Sequence, residues 1–476
     1  MIRRGVAAAS AISAAAFAAP ERASAHGLVG RQDLPIPTWL FTWGATGVLV
    51  VSFVALAAAW PVPKLQRPHG RPLPARVEAL ASSRVVEVVC GVIGILLFAF
   101  TIYAGLAGAQ SVAANWTPTF VYVGFWLGLV PLSLLFGDIF RAFNPWLAIG
   151  RTVGWIVARV SRSVPEPLTY PQRLGYWPAA AGLLAFGWLE VISAGGDDPS
   201  TIAVAALVYS SFTFVGMSLY GVDAWSQRGE AFGVYFGLFA RMSVIGRCDG
   251  RLALRAPLSG LTGWEPRDGG VALLAVMIGV VSFDGLSGGR PYNDSITDVI
   301  DGLRDIGLGP SLALETAYAV SMLLVIGLSA GLFLFGMRGA HSIDRRFSTR
   351  LLASKFAHTL VPIALAYVLA HYVSLLLLQG QALWFLASDP LGRGDNLFGT
   401  ADRSIDYTFI GAETFWYLQV GFVVAGHVAG LVLSHDRALA LYEDAKSAVR
   451  SQYWLLGVMV GFTTLALWLL AQAREG

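Results

Sequence analysis

"KFAHTLVPIALAYVLAHYVSLLL", residues 355–377, decides the fold. Apart from Lys355, Thr359, Ser374 and two histidines it is an apolar and aromatic run, and about 20 such residues are what an α-helix needs to cross the hydrocarbon of a bilayer. His358 and His371 sit inside that run. A protonatable side chain at membrane depth is costly, so each needs a partner, water or a task.

Working outward, the same reading repeats ten times. The apolar segments are 38–60, 85–108, 118–140, 177–195, 200–222, 270–288, 310–337, 355–379, 412–434 and 452–471. Hydrophobic residues make up 55% of the 476 and charged residues 13%, far from the roughly 25% charged residues of soluble domains. The expectation is an all-α polytopic helix bundle embedded in a lipid bilayer. A net charge of +3 gives no reason to expect nucleic acid as a partner. Two cysteines, Cys90 and Cys248, form no CxxC motif or disulfide framework.

Residues 1–25 read as a signal peptide: "MIRR", a small apolar stretch, then "ASA" before His26. Residues 26–476 then form one integral membrane domain. Cleavage would make His26 the amino terminus, where its amine and imidazole together can chelate copper.

Lys and Arg concentrate in alternate loops. Loops 61–84, 141–176, 223–269, 338–354 and 435–451 are basic, whereas the intervening loops carry Asp197 and Asp198, Asp294 to Asp305, and Asp389 to Asp406. Basic loops stay cytoplasmic, which places the chain in the plasma (inner) membrane with both mature termini outside. Two basic loops, "FGDIFRAFNPWLAIGRTVGWIVARV" (136–160) and "GEAFGVYFGLFARMSVIGR" (229–247), mix aromatics with arginines. They read as amphipathic helices lying on the inner leaflet, with re-entrant elements as the alternative.

The ionisable residues within spans fall into two groups. Towards the acidic loops lie Glu190, Asp284, Glu315, His371, Glu413 and, nearer mid-span, His427. Towards the basic loops lie Glu87, Asp138, Asp223, His358 and His435, where side chains reach water by snorkelling and Asp138 is spaced to pair locally with Arg141. Carboxylates with imidazoles are the ligand set of a borderline divalent metal ion, and such an ion can generate hydroxide near neutral pH. The expected assignments are Asp284 and Glu190 as catalytic groups, His371, His427, Asp284 and His26 as metal ligands, and Glu315 and Glu413 as substrate contacts.

Di-haem ligation by the histidines meets a geometric obstacle. His358 and His371 are about 20 Å apart along a regular helix and about 140° apart around it. His427 and His435 are about 80° apart by the same arithmetic. Neither pair shares a face, so haem is not expected. No Walker loop, HExxH or G-x-S-x-G occurs.

The stretches "AHGLVGRQDLPIPTWLF" and "FGDIFRAFNPW" resemble those of bacterial polytopic membrane proteins known as fenitrothion hydrolases. The resemblance covers most of the chain and is clearest over 25–60 and 120–150. It implies hydrolysis of an organophosphorus triester, an apolar substrate able to enter from lipid, and carries no catalytic residues with it. The residues alone fit two further classes: a transporter, and a copper-handling membrane protein without hydrolytic chemistry.

Overall fold

The computed structural model describes residues 38–66, 69–161, 166–266 and 268–472. The signal-peptide segment and His26 lie outside the described residues. The described chain is 73% helical, because the apolar runs satisfy their backbone groups internally, as a chain surrounded by hydrocarbon must.

Each of the ten expected segments is a helix or contains one. They are α1 (Thr38–Ala59), α2 (Arg84–Ala107), α3 (Trp116–Phe136), α5 (Trp177–Val191), α6 (Pro199–Tyr220), α8 (Gly270–Ser287), α10 (Pro310–Ile343), α11 (Val361–Gln379), α12 (Ala412–Leu441) and α13 (Tyr453–Gln472). Between them lie α4 (Pro145–Val160), α7 (Ala231–Ala240) and α9 (Arg290–Asp305). Among the described residues, 7 helices are long and apolar enough to cross a membrane: α2, α3, α6, α8, α10, α12, and α11 together with the turn before it (Thr349–Gln379). The bundle exposes Val85, Leu96, Val208, Leu324 and many other large apolar side chains, an arrangement compatible with lipid contact.

The loops sort onto two faces. Loops of basic type meet one another: Lys355 Nζ reaches Glu265 at 2.6 Å, Arg437 reaches the same Glu265 at 2.8 Å, and Arg346 reaches Glu443 at 2.7 Å. A small antiparallel sheet joins two of them. Strand β1 (Gly70–Pro72) pairs with β3 (Arg251–Arg255), which pairs with β2 (Ile245–Cys248); Gly70 faces Arg255 and Cys248 faces Arg251. Its strands are only 3 to 5 residues long, too short to show as alternation in the sequence. On the acidic face, Ala109 N–H donates to Leu391 O at 2.8 Å, and Ala194 N–H donates to Glu315 Oε1 at 3.0 Å. The alternation of charge thus corresponds to a real division of the molecule.

On the acidic face, partial burial pushes the Asp389 carboxyl up, but backbone N–H donors from Arg393 and Gly394 outweigh it and hold it below the usual aspartate range. A lowered folded-state value means this loop's stabilisation is complete above the ordinary aspartate range and is lost as pH falls through the lowered value. Hydrogen exchange at the Arg393 and Gly394 amides is expected to accelerate only in acid below that range; acceleration near neutrality would refute it.

Close approach of α11 and α12 depends on the sequence Gly426-x-x-x-Gly430. A Cβ on Gly426 would strike the Ala366 side chain and come within 2.6 Å of Pro362 O; one on Gly430 would lie 3.0 Å from Thr359 O. Small residues permit this approach between apolar helices. Gly426→Leu is expected to cost about 1–3 kcal/mol through overpacking, read as a lower unfolding temperature in detergent; Gly421→Leu, which meets open space, serves as control.

The two basic-face loops do not behave alike. Helix α4 buries only its first turn, Pro145, Trp146 and Leu147, and exposes Trp155, Ile156 and Val160, as an interfacial helix does. Helix α7 is different: eight of its 10 residues are buried. The expectation of an inner-leaflet helix over 229–247 is therefore corrected. Phe232 and Phe236 carry too much apolar surface for an interface and pack with Phe125, Phe140 and Phe186 inside the bundle.

A buried carboxylate anchors that inserted helix. Glu230 is fully buried, and its oxygens accept from Phe232 N–H (2.9 Å), Gly233 N–H (2.8 Å), Tyr209 O–H (2.6 Å) and Asn144 Nδ2 (2.9 Å). Asn144 in turn caps α4 through Leu147 N–H at 3.0 Å. The Gly-acid pairs 137–138 and 229–230 thus place capping carboxylates, since Asp138 accepts from Arg141 N–H at 3.3 Å. Arg141 turns its guanidinium instead to Asp223, so the expected Asp138–Arg141 side-chain pair gives way to a backbone cap. Glu230→Ala leaves four donors without an acceptor and is expected to destabilise the protein by about 3–5 kcal/mol, measurable by thermal unfolding.

Candidate functional site

Three of the expected residues converge. Asp284, near the end of α8, and His371, within α11, meet at 2.8 Å between Oδ2 and Nε2. Asp284 and His371 side chains are only 11% and 10% exposed. Glu190, one residue before the end of α5, is buried and lies within electrostatic reach of Asp284. Gly285 presents no side chain here: a Cβ on it would contact the imidazole at 3.6 Å.

The structure adds aromatic hydroxyls to this group. Tyr372 O–H donates to Asp284 Oδ2 at 2.6 Å and also interacts with Glu190. Its ring is fully buried and stands edge-on to Trp126, centroids 4.9 Å apart. Tyr122 and Tyr235 both lie within electrostatic reach of Glu190. Tyr122 O–H donates to Gly196 O at 2.7 Å, while the Tyr235 hydroxyl is buried without a hydrogen bond.

Local backbone explains how these side chains arrive. Trp126 and Tyr122 stand on a π-helical stretch, Phe120–Leu127, inside α3. The i→i−5 bond from Gly128 N–H to Val123 O, at 2.8 Å, closes it, and Pro118 and Pro131 flank it. A widened turn shifts the side-chain register around the helix, a device found often at functional sites. Tyr235 arrives on α7, the short helix that Glu230 anchors.

The other expected residues lie elsewhere in the hydrogen-bond network. His427 is fully buried, with Nδ1 on Val423 O at 2.8 Å and Nε2 unpartnered. Its ring lies beside that of Tyr367, centroids 6.3 Å apart. Glu315 receives the Ala194 N–H, and Glu413 is exposed in the first turn of α12. Among the described residues, no three His, Cys, Asp or Glu side chains gather as a metal ion would require.

The basic-end group is corrected on one point. His358 does not snorkel: it is fully buried, and its ring has no side-chain hydrogen-bond partner, the Lys355 backbone being its one polar neighbour. It sits in a 3-10 turn, Ala357–Leu360, ahead of α11, so the two histidines of the opening stretch are not on one regular helix. His435 is also buried, with Nε2 on Trp60 O at 3.1 Å.

Tyr372, Trp126, Tyr122 and Tyr235 were not legible as site residues, because aromatics in apolar runs read as an interfacial belt. The one available signal was the adjacency of Tyr372 to His371. No family model, curated protein or solved structure matches the chain.

What the arrangement can do chemically follows from its atoms. A carboxylate, an imidazole and a phenol share hydrogen bonds at Asp284, with a second carboxylate beside them. Such a chain can take up, hold and pass a proton. Among the described residues, the hydrogen-bond partner of His371 is Asp284 rather than a serine, threonine or cysteine.

Proposed function

We propose that the protein is a ten-span plasma-membrane carrier whose working site is the protonatable cluster Glu190–Asp284–His371–Tyr372. The observation that carries this reading is Asp284 sharing hydrogen bonds with both His371 and Tyr372 inside the bundle, with Glu190 within its field. Two carboxylates that feel each other away from water cannot both stay ionised without a cation between them. Asp/Glu/His chains at membrane depth mark proton relays and substrate paths. The π-helical stretch and the inserted helix α7 supply interrupted backbone of the kind carriers place around such sites. The acidic face is outside in this reading, and residues 1–25 direct export.

The test uses purified protein in liposomes loaded with pyranine, with an imposed pH gradient and valinomycin to clamp the potential. Protein-dependent proton flux is expected, and its absence across both gradient directions would overturn the reading.

A second reading rests on the same hydrogen bond. Asp284 on His371 Nε2 is the arrangement that orients a histidine as a general base, and the resemblance to fenitrothion hydrolases points to an apolar triester as substrate. Here Asp284 and His371 are two donors for a divalent ion, His427 is turned into its own helix, and His26 lies outside the described residues. Release of nitrophenol from fenitrothion by the same proteoliposomes, lost in Asp284→Asn, would favour this reading over the carrier.

A further inference from the structure

The seam between α11 and α12 carries more buried polar atoms than packing requires. Gly426 sits against Pro362 and Ala366, and Gly430 against Thr359, which fixes the register of the two helices. Descending from His371, Tyr367 lies one turn below on the same face, about 6 Å along the axis. The Tyr367 ring lies beside His427 across the seam, centroids 6.3 Å apart, while its hydroxyl donates to Phe462 O at 3.1 Å. Ser434 follows His427 by seven residues, returning to nearly the same face about 10 Å further down. His358 stands beside Thr359, opposite the level of Gly430, between those two. His435 and Gln452 finish the line, Gln452 Nε2 lying 3.4 Å from His435 Nδ1, and His435 meets Trp60 O at the basic face.

Along this line three side chains present buried atoms without hydrogen bonds, His427 Nε2, Ser434 Oγ and Gln452 Oε1, and the buried His358 ring has only the Lys355 backbone within reach. Buried polar groups are otherwise nearly always satisfied, and a row of them is what recruits bridging water. His427 is suited to relay. Its Nδ1 bond to the Val423 carbonyl makes Nδ1 the protonated nitrogen, leaving the buried Nε2 lone pair without a partner. Taking a proton there gives an imidazolium that keeps its bond to Val423, and release from Nε2 restores the neutral ring.

From these observations we infer that His427 and His358 pass protons along the α11–α12 seam between the Asp284–His371 cluster and the basic face. This rests on the carrier reading and deepens it. The charges around the lower half are already paired: Arg437, whose field reaches His358, is bonded to Glu265 and to the Thr262 carbonyl, Lys355 is on Glu265, and Asp436 is taken up by residues 60–66. His435 has both ring nitrogens engaged, by Gln452 and by Trp60 O, which leaves His427 and His358 as the proton acceptors of the line.

The experiment compares wild type with His427→Phe, His427→Gln and His358→Phe in the pyranine-loaded liposomes. Gln keeps a donor for Val423 but cannot take a proton, so it guards against mere misfolding. Flux is expected to fall at least tenfold in all three, with unfolding temperature and the infrared carboxyl band of the Glu190–Asp284 pair retained in His427→Gln. Wild-type flux in His427→Gln or His358→Phe would overturn the path and leave the carrier reading standing. No flux in wild type would overturn both.

Discussion

Asp284→Asn is expected to lower protein-dependent proton flux at least tenfold while leaving the unfolding temperature unchanged or raised. Asparagine keeps the shape of the side chain and an oxygen for the Tyr372 hydroxyl, which donates to Asp284 at 2.6 Å. It cannot hold a proton, and its amide replaces one of two neighbouring carboxyl groups, Glu190 being the other. Removing a carboxyl group that is costly to keep ionised away from water offsets the weakened bond to His371. A purely structural role would give the opposite pattern, a protein that conducts normally but melts earlier. Glu190→Gln tests the partner carboxylate in the same way. Flux measured in liposomes, with unfolding followed in detergent, separates the two outcomes.

A stability effect as large as that at Glu230 is expected at Asp436. Its buried carboxylate accepts from Trp60 Nε1 (3.1 Å), Lys64 N–H (2.5 Å), Leu65 N–H (3.1 Å) and Gln66 Nε2 (2.6 Å). Next to it, His435 holds Trp60 O, and Arg437 holds Glu265 and the Thr262 carbonyl. One turn of α12 thereby ties the 60–66 segment and the 262–265 loop to the bundle. Asp436→Ala strands four donors and is expected to cost about 3–5 kcal/mol, the range for breaking a buried charged network. Asp436→Asn keeps one acceptor oxygen and is expected to cost less, about 1–3 kcal/mol. Loss of the solvent-exposed Arg346–Glu443 pair, by contrast, is expected to leave the unfolding temperature unchanged. Equal melting of Asp436→Ala and wild type would contradict this assignment.

Much of the architecture was legible because hydrocarbon is a severe solvent. Ten apolar runs had to become helices, and the alternation of basic with acidic loops anticipated the two faces on which those loops actually meet. Depth along each run likewise brought Glu190, Asp284 and His371 to a common level. Rotation about each helix was not legible, since it is set by packing. His427 and His371 both read as cluster members, yet His427 turns Nδ1 to the Val423 carbonyl of its own helix and sets its ring beside Tyr367. His358 read as a snorkelling side chain because Lys355 stands close by in sequence, but the 3-10 turn Ala357–Leu360 turns it inward. Burial of α7 was hidden for a related reason: Arg241 and Arg247 follow its aromatic run and made an interior helix look interfacial. The aromatic hydroxyls were hidden because a tyrosine in an apolar run carries no sign of which end is buried.

The most direct test of the central claim is infrared difference spectroscopy of the purified protein across a pH titration. A protonated-carboxyl band that titrates in wild type, and is altered by both Asp284→Asn and Glu190→Gln, is the result expected of a shared, protonatable pair. A spectrum without a titrating carboxyl band, or one unchanged by both substitutions, would contradict it.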